Sequence, residues 1–221
     1  MRWRTAAVCA ALAAFAALAF FAHRQSYFWW DLQLARALQS FSPRWMFWLM
    51  RGVSVFADDW VPYALVPATV LALIAAGHRR EAAALLLSAA GAGALDTVGK
   101  LVVGRPRPPH QLVAVFKALE SHSFPSGHVS FYVCYFGFIF YLAWTLVRSP
   151  MALRRLALML SAIPVALVGL SRVYLGEHWP SDVIGGYLLG GLWLSLSVRT
   201  YRRWKERARR GALDSASLRS S

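Results

Sequence analysis

Three short polar clusters punctuate the apolar stretch between Lys100 and Asp182. The first holds Lys100, Arg105, Pro106, Arg107 and Pro108. The second is Phe124, Pro125, Ser126, Gly127 and His128. The third is Ser171 and Arg172, then His178, then Asp182. Cations, imidazoles and a carboxylate at the ends of apolar segments are costly to keep near a bilayer, which makes them functional candidates. Together they supply what a phosphate ester needs. There are cations for its charge, backbone amides in a tight Ser-Gly turn, two histidines and an acid.

The spacing within each cluster narrows the roles. Lys100 and Arg107 are seven residues apart, close to two helical turns, so they share a face if the helix continues. Arg105 then points about 140° away from Lys100 and reads as a solvated or headgroup-facing charge. Asp96 lies one turn before Lys100 and neutralises it. Ser126 and Gly127 directly precede an apolar run. Their N–H groups therefore fall at a helix N-terminus, a natural phosphate site, and Gly127 allows close backbone approach. His128 in the first turn can reach an oxygen of the same phosphate. His178 and Asp182 are four apart, on one side of a helix or turn. An Asp bonding one imidazole nitrogen leaves the other as nucleophile or base. Glu177 reads as structural. On these grounds His128 has a helix N-terminus and no acid partner.

The elements that position these groups are membrane helices. The chain of 221 residues is 58% hydrophobic and 15% charged, too apolar for an ordinary soluble domain. Apolar runs at 5–22, 60–77, 82–103, 129–147, 156–170 and 183–198 approach the roughly 20 residues of a spanning helix. The expected fold is all-α: a polytopic membrane protein of six transmembrane helices in a single domain, 1–221. The motif core covers 82–198 and a basic tail 199–221, helical to Arg210 and frayed after Gly211. Residues 5–22 read as a retained anchor rather than a cleaved signal. The tryptophan-rich stretch 24–59 reads as a packed connector containing an interfacial helix from Arg44 to Asp58, between the first and second spans. A lid or lipid-guiding element is its alternative reading.

The net charge of +14 does not indicate nucleic acid, because the basic residues cluster between and after the apolar runs. They instead set topology. The positive-inside rule puts Arg79, Arg80, Arg148, Arg154, Arg155 and the tail in the cytoplasm. All three clusters then fall on the non-cytoplasmic side of the cytoplasmic membrane. Cys9 and Cys134 lie inside apolar runs, and no disulfide is inferred. The chain lacks the carboxylate cluster that a two-metal site needs, so no metal or other cofactor is expected.

Lys100-x6-Arg107-Pro108, Pro125-Ser126-Gly127-His128 and Ser171-Arg172-x5-His178-x3-Asp182 resemble the three signatures of the type 2 phosphatidic acid phosphatase (PAP2) superfamily. The resemblance covers the third span to the sixth. It implies a six-helix bundle that removes phosphate from a lipid without metal. His178 would be the nucleophile, forming a phosphohistidine, with Asp182 its orienter and His128 the acid for the leaving group. Lys100, Arg107, Arg172 and the Ser126 and Gly127 amides would hold the phosphoryl oxygens. The expected partners are the bilayer and a lipid phosphate or diphosphate, of the phosphatidic acid, phosphatidylglycerol phosphate or undecaprenyl diphosphate type. A phosphotransferase of the same fold and a non-catalytic lipid binder are the alternatives.

Overall fold

The computed structural model describes residues 2–145 and 150–217. Its α-helices follow in the order α1 (Arg2–Arg24), α2 (Trp29–Ser40), α3 (Arg44–Ser54), α4 (Val61–Ala75), α5 (Arg79–Val103), α6 (Gly127–Thr145), α7 (Met151–Tyr174) and α8 (Pro180–Ser217). A 3₁₀ turn, Val55–Ala57, joins α3 to α4. No strand occurs among the described residues. Helices α1, α5, α6, α7 and α8 are long and apolar enough to cross a bilayer. The pair formed by α3 with its 3₁₀ turn and α4, bent by 60°, gives a sixth where the two are counted as one broken span. The protein is therefore an all-helical, multi-pass membrane protein.

Proline and glycine set the helix boundaries. Pro150 precedes α7 and Pro180 opens α8, since proline suits a first turn whose N–H lacks a partner anyway. Gly104, with φ of 63°, closes α5, and its N–H returns to the Lys100 carbonyl. Gly176, with φ of 68°, follows α7. Both adopt the left-handed conformation that a side chain resists.

Several boundaries differ from expectation. The helix from Arg44 passes at Ser54 into the 3₁₀ turn Val55–Ala57, and the helical path ends before Asp58, which is extended and is followed by Asp59 with a φ of 43°. Helix α8 runs through Gly211 to Ser217 rather than fraying; one glycine costs about 1 kcal/mol in a helix, and Ala212, Leu213 and Ala216 favour continuation. The expected basic turn at 148–155 is shortened by α7 starting at Met151, and Arg148 lies outside the described residues.

Helix α6 packs against α5, α7 and α8 and is the centre of the bundle. Lipid provides no hydrophobic force between helices, so close packing and polar contacts must hold them. Small residues allow that approach. A Cβ at Gly186 would meet the Ser126 carbonyl at 2.7 Å, and one at Gly185 the Phe124 ring at 2.5 Å. The turn before α6 thus seats directly on the first turns of α8. The last turns of α5 and α7 and the first turns of α6 and α8 meet at one end of the bundle. All three polar clusters lie there.

Candidate active site

The loop after α5 places Arg107. Because Gly104 ends the helix, Lys100 and Arg107 do not share a helical face as the spacing predicts. They converge nonetheless, since both line one cavity. The Arg107 guanidinium donates to the Ser121 carbonyl at 2.7 Å and the Glu177 carbonyl at 2.6 Å, and lies 3.2 Å from His178 Nε2. Lys100 pairs with Asp96 at 2.8 Å. Burial, then repulsion from Arg172, brings the Arg107 guanidinium down to about 10. It remains charged at neutral pH. Among the described residues no carboxylate lies within ion-pair distance of it, so its charge is available to a ligand.

His178 sits between α7 and α8 with only 2% of its side chain exposed. Burial, then the charges of Arg107, Arg172 and Lys100, holds its imidazole well below the usual value. The ring is neutral at physiological pH and keeps a lone pair. Asp182 approaches Nδ1 only to 3.7 Å, longer than the direct hydrogen bond expected. Its carboxylate is already occupied. It accepts from Arg105 at 2.6 Å, from Ser123 Oγ at 2.5 Å and from the Trp179 N–H at 2.9 Å. Ser123 Oγ lies 3.5 Å from His178 Nδ1, between ring and acid.

His128 does have an acid partner, contrary to the sequence reading. Its Nε2 lies 2.7 Å from Asp58 Oδ1. Asp58 arrives from the bend before α4 and also pairs with Arg51. The Ser126 N–H donates to the Asp182 carbonyl at 3.0 Å, so it is not free for phosphate. The turn docks on α8 through that bond. The N–H groups of Gly127 and His128 open α6 and have no acceptor among the described residues. A Cβ at Gly127 would meet Asp96 Oδ2 at 2.6 Å.

Arg172 is wholly buried and does not reach the cavity wall. Its two terminal nitrogens bond Ser54 and Glu177, and its Nε has no partner. It lies 3.9 Å from Asp58. Its charge acts through space rather than by contact. Glu177, read as structural, is its counter-ion. Burial pushes the Glu177 carboxyl up, and Arg172 opposes that.

Arg105 is the largest correction. It is not solvated but 1% exposed. It bridges Asp31 of α2 at 2.9 Å and Asp182 of α8 at 2.6 Å. With the helix ended at Gly104, the chain turns inward and helical phase no longer applies. Ser181 completes the cluster through its N–H and hydroxyl, at 2.8 and 2.7 Å from Asp31.

Lys100, Arg107, Gly127, His128 and His178, together with Asp59, Asp96, Thr97 and Ser121, form the polar wall of a cavity of about 610 Å³. Its other walls are Tyr63, Val66 and Pro67 of α4 and Leu86, Ala89, Ala90 and Gly93 of α5. Leu86 is fourteen residues from Lys100, about 21 Å along a helix. The cavity thus descends from charged groups into an apolar seam.

A family model described as the PAP2 superfamily matches residues 81–206, more than half of the chain. The chain belongs to the PAP2 superfamily. An undecaprenyl-diphosphatase of Sulfolobus acidocaldarius is 35% identical over 156 residues, 68% of this chain and 70% of the relative. A decaprenylphosphoryl-5-phosphoribose phosphatase of Mycobacterium tuberculosis is 31% identical over 144 residues, 63% of this chain and 72% of its own. The crystal structure of a transmembrane PAP2-type phosphatidylglycerolphosphate phosphatase from Bacillus subtilis superposes with a TM-score of 0.74 at 24% identity, covering 89% of this chain and 96% of the other. The PAP2 signature residues all lie inside the matched stretch. Asp31, Ser54 and Asp58 lie before it.

Arg105 and Arg107, two residues apart, should fail differently. Arg105→Met leaves two buried carboxylates without their cation, a loss of about 3–5 kcal/mol. Its thermal midpoint in detergent should drop well below that of Arg107→Met, whose charge faces the cavity. Equal midpoints would contradict the buried pairing.

Proposed function

We propose that this PAP2 protein is a lipid phosphate phosphatase that works through a phosphohistidine on His178, at the non-cytoplasmic face of the cytoplasmic membrane. The observation that carries this reading is the contrast between its two histidines around one cavity. His178 is a neutral imidazole pressed against Arg107, the state a nucleophile needs. His128 is bonded to a carboxylate, the arrangement that lets an imidazole carry a proton for a leaving oxygen. The cations of Lys100 and Arg107 and the free amides at the start of α6 supply the charge stabilisation that phosphoryl transfer requires.

The shape of the cavity supports a lipid substrate. A phosphate held at the charged end would have its alkyl or prenyl chain in the seam between α4 and α5, where the lining is apolar. The lipid phosphatases among its relatives agree with that class. The reaction proceeds by attack of His178 Nε2 on phosphorus, with the P–O electron pair leaving on the lipid oxygen. Water, giving a proton to His128, then attacks phosphorus, and the P–N bond breaks with its electron pair returning to His178, releasing phosphate.

Purified protein in detergent should release phosphate from one or more of phosphatidic acid, phosphatidylglycerol phosphate and undecaprenyl diphosphate. Release should persist in excess EDTA, because the phosphate cage is built of side-chain cations and amides. Vanadate should inhibit by occupying that cage in a five-coordinate form. Loss of activity on chelation, restored by Mg²⁺, would refute the mechanism.

Orientation is tested separately. His110 and Arg80 are exposed at opposite ends of the bundle. In a cysteine-free background, His110→Cys should react with an impermeant thiol reagent in intact cells, and Arg80→Cys should not. The reverse pattern would invert the topology.

A further inference from the structure

We propose that Asp58 is the positioning residue for His128, holding the imidazole by Nε2 so that the proton given to the leaving oxygen comes from Nδ1. The inference rests on the phosphatase reading above. It concerns a residue outside the stretch that matches the PAP2 family.

The geometry around Asp58 is that of a fixed group. Oδ1 lies 2.7 Å from His128 Nε2, and Oδ2 is taken by Arg51. Arg51 is itself placed over the Phe116 ring, 5.6 Å from its centre. The Asp58 backbone is tied on both sides. Its N–H donates to the Val55 carbonyl at 3.1 Å, and its carbonyl accepts the Val61 N–H at 3.0 Å, at the start of α4. Asp58 therefore sits at the bend between the 3₁₀ turn and α4, and neither backbone nor carboxylate is loose.

His128 is equally constrained. Its backbone is in the first turn of α6, and its side chain is 15% exposed. The ring lines the cavity, and Nδ1 has no hydrogen-bond partner among the described residues. With Nε2 committed to Asp58, Nδ1 is the nitrogen left for a ligand.

The surrounding charges explain why a carboxylate is needed. Lys100 from α5 and Arg107 from the following loop share the cavity wall with His128. Arg172 from α7 lies 3.9 Å from Asp58. Three cations around a half-dry imidazole favour its neutral form, which has only one proton and would have it on Asp58. Two nearby carboxylates are engaged elsewhere, Asp96 with Lys100 and Glu177 with Arg172. Asp58 is the carboxylate bonded to His128 among the described residues. It offsets part of the cations' repulsion, and the negative charge of a bound phosphate offsets more, so that the ring carries both protons in the loaded cavity.

The proton count then closes. In the first step His178 Nε2 forms the P–N bond, the P–O bond breaks, and the leaving oxygen takes the Nδ1 proton of His128. The ring keeps its Nε2 proton on Asp58. In the second step Nδ1 takes a proton from the attacking water. The new P–O bond forms, the P–N electron pair returns to His178, and His128 is again doubly protonated.

The test is the dependence of kcat on leaving group, measured with a graded series of soluble aryl and alkyl phosphates. Asp58→Asn keeps the side-chain shape and removes the charge. It should lose about 10²-fold on alkyl phosphates and at least about tenfold less on nitrophenyl phosphate, with KM changed less than about twofold. Its slope of log kcat against leaving-group acidity should steepen to that of His128→Ala. The double variant Asp58→Asn/His128→Ala should be no slower than His128→Ala alone. Multiplicative losses, or an equal loss across the series, would overturn the inference, because a merely structural Asp58 slows all substrates alike. Turnover of aryl phosphates with no lipid phosphate hydrolysed would remove the lipid assignment and leave the slope test standing. No turnover of either would sink both.

Discussion

One buried guanidinium holds the site in register. Arg105 is shared by Asp31 and Asp182, and all three side chains are fully excluded from solvent. Charges in such a place are tolerable only when paired and hydrogen-bonded. Ser123, Ser181 and the Trp179 N–H satisfy the remaining oxygens. The cluster joins α2, the loop after α5 and the first turn of α8. His178 lies two residues before that turn, so the position of its imidazole depends on a contact that lies outside the cavity. Asp182, diverted to Arg105, lies 3.7 Å from His178 Nδ1, with Ser123 Oγ placed between them.

The same economy of charge shapes the cavity. Lys100 has Asp96 and Arg172 has Glu177, while Arg107 lacks a carboxylate among the described residues. A dianion arriving at the cavity meets one uncompensated cation, one compensated one, and the open N–H groups of α6. This arrangement keeps the ionised groups around the cavity close to balanced in a low-dielectric setting. It reserves the strongest attraction for the group that brings negative charge. The two imidazoles are sorted by the same fields. His178 sits against Arg107 with no carboxylate within hydrogen-bond distance, whereas His128 is bonded directly to Asp58.

Much of this was legible in the sequence, and the misses share one cause. The spans, the convergence of the three clusters at one end and the Lys100–Asp96 pair follow from local pattern, because helical periodicity and topology are short-range properties. Helical phase misplaces Arg105 because it does not carry past Gly104, and a glycine followed by Pro106 is itself a stop signal. Asp31, Ser54 and Asp58 come from a stretch read as a packed connector; in the structure it delivers partners to Arg105, Arg172 and His128. Those pairings span 70 residues or more, and no periodicity encodes them. A signal was available all the same. Acids beside apolar segments are functional candidates, and the reasoning that singled out Asp182 applies equally to Asp31 and Asp58. The Ser126 amide was lost to the Asp182 carbonyl, a tertiary bond invisible to a rule about helix ends.

The assignment of His178 as nucleophile is tested most directly by trapping. Enzyme mixed with a phosphate-labelled substrate and quenched within a turnover should carry label that is acid-labile and base-stable. Peptide mapping should place it on His178, and His178→Ala should trap none while His128→Ala still does. Label on His128, or label retained by His178→Ala, would contradict the account and exchange the roles of the two imidazoles.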